Sequence, residues 1–135
     1  MKAWFTSLNG AVALSLIALI SFLGRTFLDW RYVYQEFLAG VGPVALTTVV
    51  YLAFFGGWFW ALLAAARRSR TGLVAALLFS LVLPVGLGVG TLASFCSSPC
   101  QTAWPLMEIA NWSNLLFGLL AAVSAAVHLR QVRSG

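Results

Sequence analysis

The sequence predicts an all-α integral membrane protein: a four-helix bundle forming one transmembrane domain over residues 1–135, with both termini on the cytoplasmic side. Three observations predict it. Hydrophobic residues make up 61% of the 135-residue chain and charged residues only 8%, against roughly 45–50% and about 25% in soluble domains. The apolar residues gather in four long stretches, and the few charges divide unevenly among the segments between them. A soluble domain of this size could not bury so much apolar surface, so much of it must face lipid.

About 20 mainly apolar residues are needed to cross the hydrocarbon layer as a helix. No charge occurs from Ala3 to Gly24, which predicts a first helix over about 5–24 with its apolar heart from Leu8 to Leu23. No small-residue cleavage site followed by a polar domain comes after it, so it reads as a retained helix rather than a secretory signal. A second uncharged stretch runs from Phe37 to Ala66. Gly42-Pro43 suits its first turn, where proline is tolerated, and the helix is expected over about 42–66. The third is expected over about 71–95, after Arg70, and the fourth over about 108–129.

Orientation follows from the distribution of Lys and Arg in short loops. The segment Arg67-Arg68-Ser69-Arg70 joins the second and third spans, and Lys2, Arg130 and Arg133 fall on the same side. The other side would hold Arg25 and Arg31 with all the acids, Asp29, Glu36 and Glu108. The basic side is the cytoplasmic one, consistent with a bacterial inner membrane protein. Trp4 near that surface, and Trp30, Trp104 and Trp112 near the other, fit the preference of indole rings for the headgroup layer. Thr26 to Phe37 is expected as an outer loop lying in the interface as a short amphipathic segment. The net charge of +5 comes from too few basic residues for a nucleic-acid surface.

Candidate chemistry is sparse, and no catalytic residue or metal site is expected. Cys96 and Cys100 fall in the outer loop before the fourth span, where an oxidising compartment allows a disulfide. Closing so small a loop contributes roughly 2 kcal/mol on the chain-entropy model. The alternative is a redox pair exchanging electrons with a membrane quinone, although the spacing and the lack of a second pair match four-helix thiol oxidoreductases poorly. His128, the only histidine, cannot by itself hold a haem or zinc and reads as an interfacial residue at a helix end.

Pro84, followed by Gly86, Gly88 and Gly90, predicts a packing kink in the third span, with a substrate-related hinge as the alternative. Against the hinge, no ionisable residue is expected inside the hydrocarbon region of any helix. Small and polar residues recur on one face of the first span (Ser7, Ala11, Ser15, Ala18, Arg25) and of the fourth (Asn111, Asn114, Gly118, Ala121, Ala125, His128). Ser15, Ala18, Asn114, Gly118, Ala121 and Ala125 are therefore expected at helix contacts, where small side chains let backbones approach. The second span is aromatic on all sides. Phe54, Phe55, Trp58 and Trp60 are the candidate surface for an apolar ligand, such as lipid, quinone or pigment, or for a partner subunit.

No cofactor is expected to be bound by this chain's own chemistry. The leading functional expectation is a non-catalytic accessory or structural subunit of a larger membrane complex, respiratory or photosynthetic, with the bilayer and other subunits or copies of itself as partners. The alternatives are a small oligomeric transporter or channel hinged near Pro84, and a thiol–quinone redox protein using Cys96 and Cys100.

Overall fold

Hydropathy marks where a chain leaves the hydrocarbon, but helical hydrogen bonding need not stop there. In the computed structural model, which describes residues 2–36, 41–97 and 105–134, with side chains for 3–27, 48–82, 86 and 109–133, every long element is a helix. A short α1 (Lys2–Phe5) precedes four long helices: α2 (Leu8–Glu36), α3 (Val41–Ala66), α4 (Arg70–Ser97) and α5 (Pro105–Ser134). The described residues contain no strand.

Three of these helices are long and apolar enough to cross a membrane, over Leu8–Phe27, Thr48–Ala66 and Ile109–Arg133. The apolar part of α4 whose side chains are described, Arg70–Val82, is shorter. Many of the side chains turned outward from the bundle are large and apolar, including Ile20, Leu52, Val82, Leu116 and Val123. Apolar exposure on this scale belongs against lipid rather than water.

The first long helix corrects an expectation. Residues 26–36, read from sequence as a loop, continue α2 as far as Glu36. Its 29 residues rise about 43 Å at 1.5 Å each, more than the ~30 Å hydrocarbon layer requires. Arg25 is thus an interior residue of α2 and falls within its apolar span, contrary to the expectation that no ionisable residue would lie there.

Helix ends follow from local chemistry. Ser7 caps α2, its Oγ accepting from the Gly10 N–H at 3.1 Å. Ser69 does the same for α4, accepting from the Gly72 N–H at 3.2 Å. The preceding helix α3 closes on the same residues. The Ser69 N–H donates to the Ala64 carbonyl at 3.0 Å and the Arg68 N–H to that of Ala65 at 2.9 Å. This is the paired 6→1 and 5→2 closure of a Schellman motif, with Arg68 in the left-handed region at φ 65°. Three residues, 67–69, therefore end one helix and start the next. That junction brings α4 so close to α3 that position 72 must lack a side chain. A Cβ there would lie 2.6 Å from both the Ala64 Cβ and the Ala65 N.

α2 and α4 touch across the middle of the bundle, with α3 and α5 packed on opposite sides of that pair. The main core joins Ala18, Leu19 and Phe22 of α2 with Trp58, Ala61 and Leu62 of α3 and Ala76 of α4. A second cluster nearer the α3–α4 junction contains Ala11, Ala65, Leu73 and Ala125. The small residues Ser15, Ala18, Asn114, Gly118, Ala121 and Ala125 are all buried, which permits the close helix contacts. The α4 backbone is helical throughout Arg70–Ser97, Pro84 included, so no unwound hinge interrupts it. Gly86 is exposed, and a Cβ there would meet nothing within 4 Å. The surroundings of Pro84, Gly88 and Gly90 lie outside the described side chains, as does Cys96; Cys100 lies outside the described residues, and so does the expected disulfide.

Candidate functional site: polar groups inside the bundle

A polar side chain in a membrane interior must find its partner within the protein, because lipid offers none. The central node of this bundle meets that demand with four groups from three helices. The Trp58 indole N–H donates to Ser15 Oγ at 3.0 Å. Ser15 and Ser80 hydroxyls lie 3.0 Å apart, and the Ser80 hydroxyl donates to the Ala76 carbonyl at 2.8 Å. Each hydroxyl carries one proton. Since that of Ser80 goes to Ala76, the Ser15 hydroxyl must donate to Ser80. The order is then fixed as Trp58, Ser15, Ser80, Ala76, with every proton used.

Ser15 is 3% exposed and Trp58 and Ser80 are fully buried. Aromatic rings wrap the node. Trp58 stacks on Phe79 with centroids 6.3 Å apart, and Phe54 meets Phe79 edge-on at 5.1 Å. Phe22 contacts Phe54 and Phe55 at 5.9 and 5.6 Å. Such a chain ties α2, α3 and α4 together in one register.

This placement corrects the expected aromatic surface. Trp58 faces inward, and Phe54 and Phe55 are half-buried against the core; of that set only Trp60 is exposed. The neighbouring Phe59 takes its place on the outer face, since one residue along a helix turns the side chain by about 100°.

A second polar group lies between α2 and α5, toward the end where α5 begins. The Arg25 guanidinium donates through Nε to Asn111 Oδ1, and Asn111 is itself buried. Asn114, one turn further along α5, is 2% exposed. Neither its Oδ1 nor its Nδ2 has a hydrogen-bond partner among the described residues. The antiparallel register set by Arg25 and Asn111 puts it at the level of Phe22. A buried amide without partners costs about 1–3 kcal/mol. Asn114→Val should therefore raise the unfolding free energy of the bundle by about 1–2 kcal/mol, measured by reversible denaturation in detergent micelles.

The opposite end is tied by α1 and the turn after it. Ser124 Oγ donates to the Phe5 carbonyl. His128 Nδ1 sits 3.1 Å from the Thr6 carbonyl, which only accepts, so Nδ1 carries the proton. His128 thus anchors the N-terminal turn to α5.

The sequence pattern missed Ser80 and the pairing of Arg25 with Asn111. Ser80 was findable as the only hydroxyl within the apolar run from Leu73 to Val82. Among the described residues no group of three His, Cys, Asp or Glu side chains could hold a metal. No protein-family model matches the chain, and no curated protein or solved structure matches it significantly.

Proposed function

We propose that the chain is a four-span integral membrane protein with both termini on the cytoplasmic side, acting as a non-catalytic structural subunit of a larger membrane assembly of the respiratory or photosynthetic kind. The fourth crossing is α4, whose 28 residues rise about 42 Å. The Lys/Arg-rich ends of the spans and the Arg67–Arg70 junction then share the cytoplasmic side.

One observation carries the subunit reading. Trp60 is 61% exposed beside Phe59 on the outer face of α3. It lies about 9 Å along the helix from the end of the span at Ala66, deeper than the headgroup level that indoles favour. An indole N–H in hydrocarbon calls for an acceptor, and a neighbouring subunit can supply one where a lipid tail cannot. The test is purification at native expression in a mild detergent or in nanodiscs. A stoichiometric membrane partner should be retained, and Trp60→Ala should release it without moving the thermal midpoint of the isolated bundle. A chain isolated without a partner, or a partner held equally by Trp60→Ala, would refute this reading.

A second reading, a small transporter or channel, is favoured by the Arg25–Asn111 pair and by the unpartnered Asn114 inside the bundle. Solute flux in liposomes that disappears in Asn114→Val would put it first.

A further inference from the structure

At the end of the bundle where α2 and α4 begin and α3 and α5 finish, the helices leave an open cleft of about 630 Å³. Its walls are of two kinds. Leu129 and Val132 form an apolar side, Leu73 being buried in the core behind it, and Arg68, Arg70 and His128 bring basic groups to the rim. Both arginines are exposed, and neither guanidinium makes a hydrogen bond or ion pair among the described residues. The acidic side chains, Asp29, Glu36 and Glu108, belong to the far ends of α2 and α5, so no side-chain carboxylate among the described residues offsets the two arginines.

The backbone adds donors of the same sign. Ser7 and Ser69 cap only the third amide of their helices, Gly10 and Gly72. The amides of Leu8 and Asn9 in α2, and of Arg70 and Thr71 in α4, belong to first turns that helix geometry leaves without intrahelical acceptors. Two helix N-termini therefore present N–H groups at one cleft, while the Leu63, Ala64 and Ala65 carbonyls at the end of α3 are taken up by the Arg67, Ser69 and Arg68 amides. Guanidinium groups match the oxygens of a phosphate in pairs.

The apolar wall decides between sources of phosphate. A free anion has no use for Leu129 and Val132, whereas the first methylenes of an acyl chain do. We infer that this cleft binds the phosphodiester headgroup of an anionic phospholipid, with Arg68, Arg70 and the first turns of α2 and α4 on the phosphate and the apolar Leu129 and Val132 of α5 against the lipid tail. The site belongs to the chain alone and does not depend on a partner subunit.

The purified protein in dodecyl maltoside is titrated with phosphatidylglycerol, phosphatidylcholine or inorganic phosphate, with binding read by native mass spectrometry and by thermal midpoint. One phosphatidylglycerol should be retained with at least tenfold preference over phosphatidylcholine. Arg68→Ala/Arg70→Ala should lower that affinity at least tenfold. Arg130→Ala/Arg133→Ala removes the same charge from residues outside the cleft and should change it less than threefold. Arg68→Gly guards against misfolding, because glycine suits the left-handed position; it should keep or raise the unliganded midpoint and still weaken binding severalfold. Equal retention of both lipids, or equal loss in the two double variants, would overturn the inference. So would inorganic phosphate reproducing the full thermal shift, which would assign the cleft to a free anion.

Discussion

Gly72→Ala is expected to open the α3–α4 junction and to lower the unfolding free energy by about 3 kcal/mol, at the upper end of overpacking costs. The added Cβ would sit 2.6 Å from the Ala64 Cβ and the Ala65 backbone nitrogen, and 2.7 Å from the Ala64 carbonyl carbon. None of these is the far end of a flexible side chain, so the helices themselves must move apart. That movement would also disturb Arg68 and Ser69, which close α3 and start α4. Gly56 is the control, since a Cβ there meets nothing within 4 Å. Gly56→Ala should be neutral or stabilising by up to about 1 kcal/mol, the helix-propensity difference. Reversible unfolding of both variants in mixed micelles checks the contrast.

Trp58→Ala should cost about 3–5 kcal/mol, as expected for truncating a large core aromatic. The residue is fully buried, touches Phe22, Phe54 and Phe79, and supplies the first donor of the polar chain. Trp58→Phe separates the two roles. It keeps most of the ring volume and removes the donor, so a loss of about 1 kcal/mol is expected. Ser15→Ala strands the buried indole N–H and should cost about 1–3 kcal/mol. Combining Ser15→Ala with Trp58→Phe should cost less than the sum of the two, because the second change removes the group the first left unpaired. Strict additivity would mean that Ser15 and Trp58 are not bonded.

The contrast between these positions explains what the sequence could and could not reveal. The apolar spans were readable because lipid imposes a length and an uncharged composition on each. The end of α2 was not readable by that criterion. Asp29, Arg31 and Glu36, beyond the span that ends at Phe27, mark departure from hydrocarbon, while the backbone hydrogen bonds run on to Glu36. The small, buried face of α5 was visible because Asn111, Asn114, Gly118, Ala121 and Ala125 recur at helical spacing among larger residues. The inward face of α3 had no such contrast. Tyr51, Phe54, Phe55, Trp58, Phe59 and Trp60 surround the helix, so no polar side identifies which ring points in. Only the register of Ser15 and Ser80 selects Trp58 for the core and leaves Trp60 outside. Long-range partners such as Arg25 and Asn111, 86 residues apart, carry no local signal that pairs them.

The most direct test of the account is the topology that underlies it. A reporter that fluoresces only in the cytoplasm should be bright when fused after Gly135 or inserted near Ser69, and dark when inserted near Ser98. Brightness at Ser69 and Ser98 with darkness at Gly135 would show that α4 does not cross and that the chain has three spans. Brightness at Ser98 alone would invert the bundle and contradict the placement of the basic cleft on the cytoplasmic side.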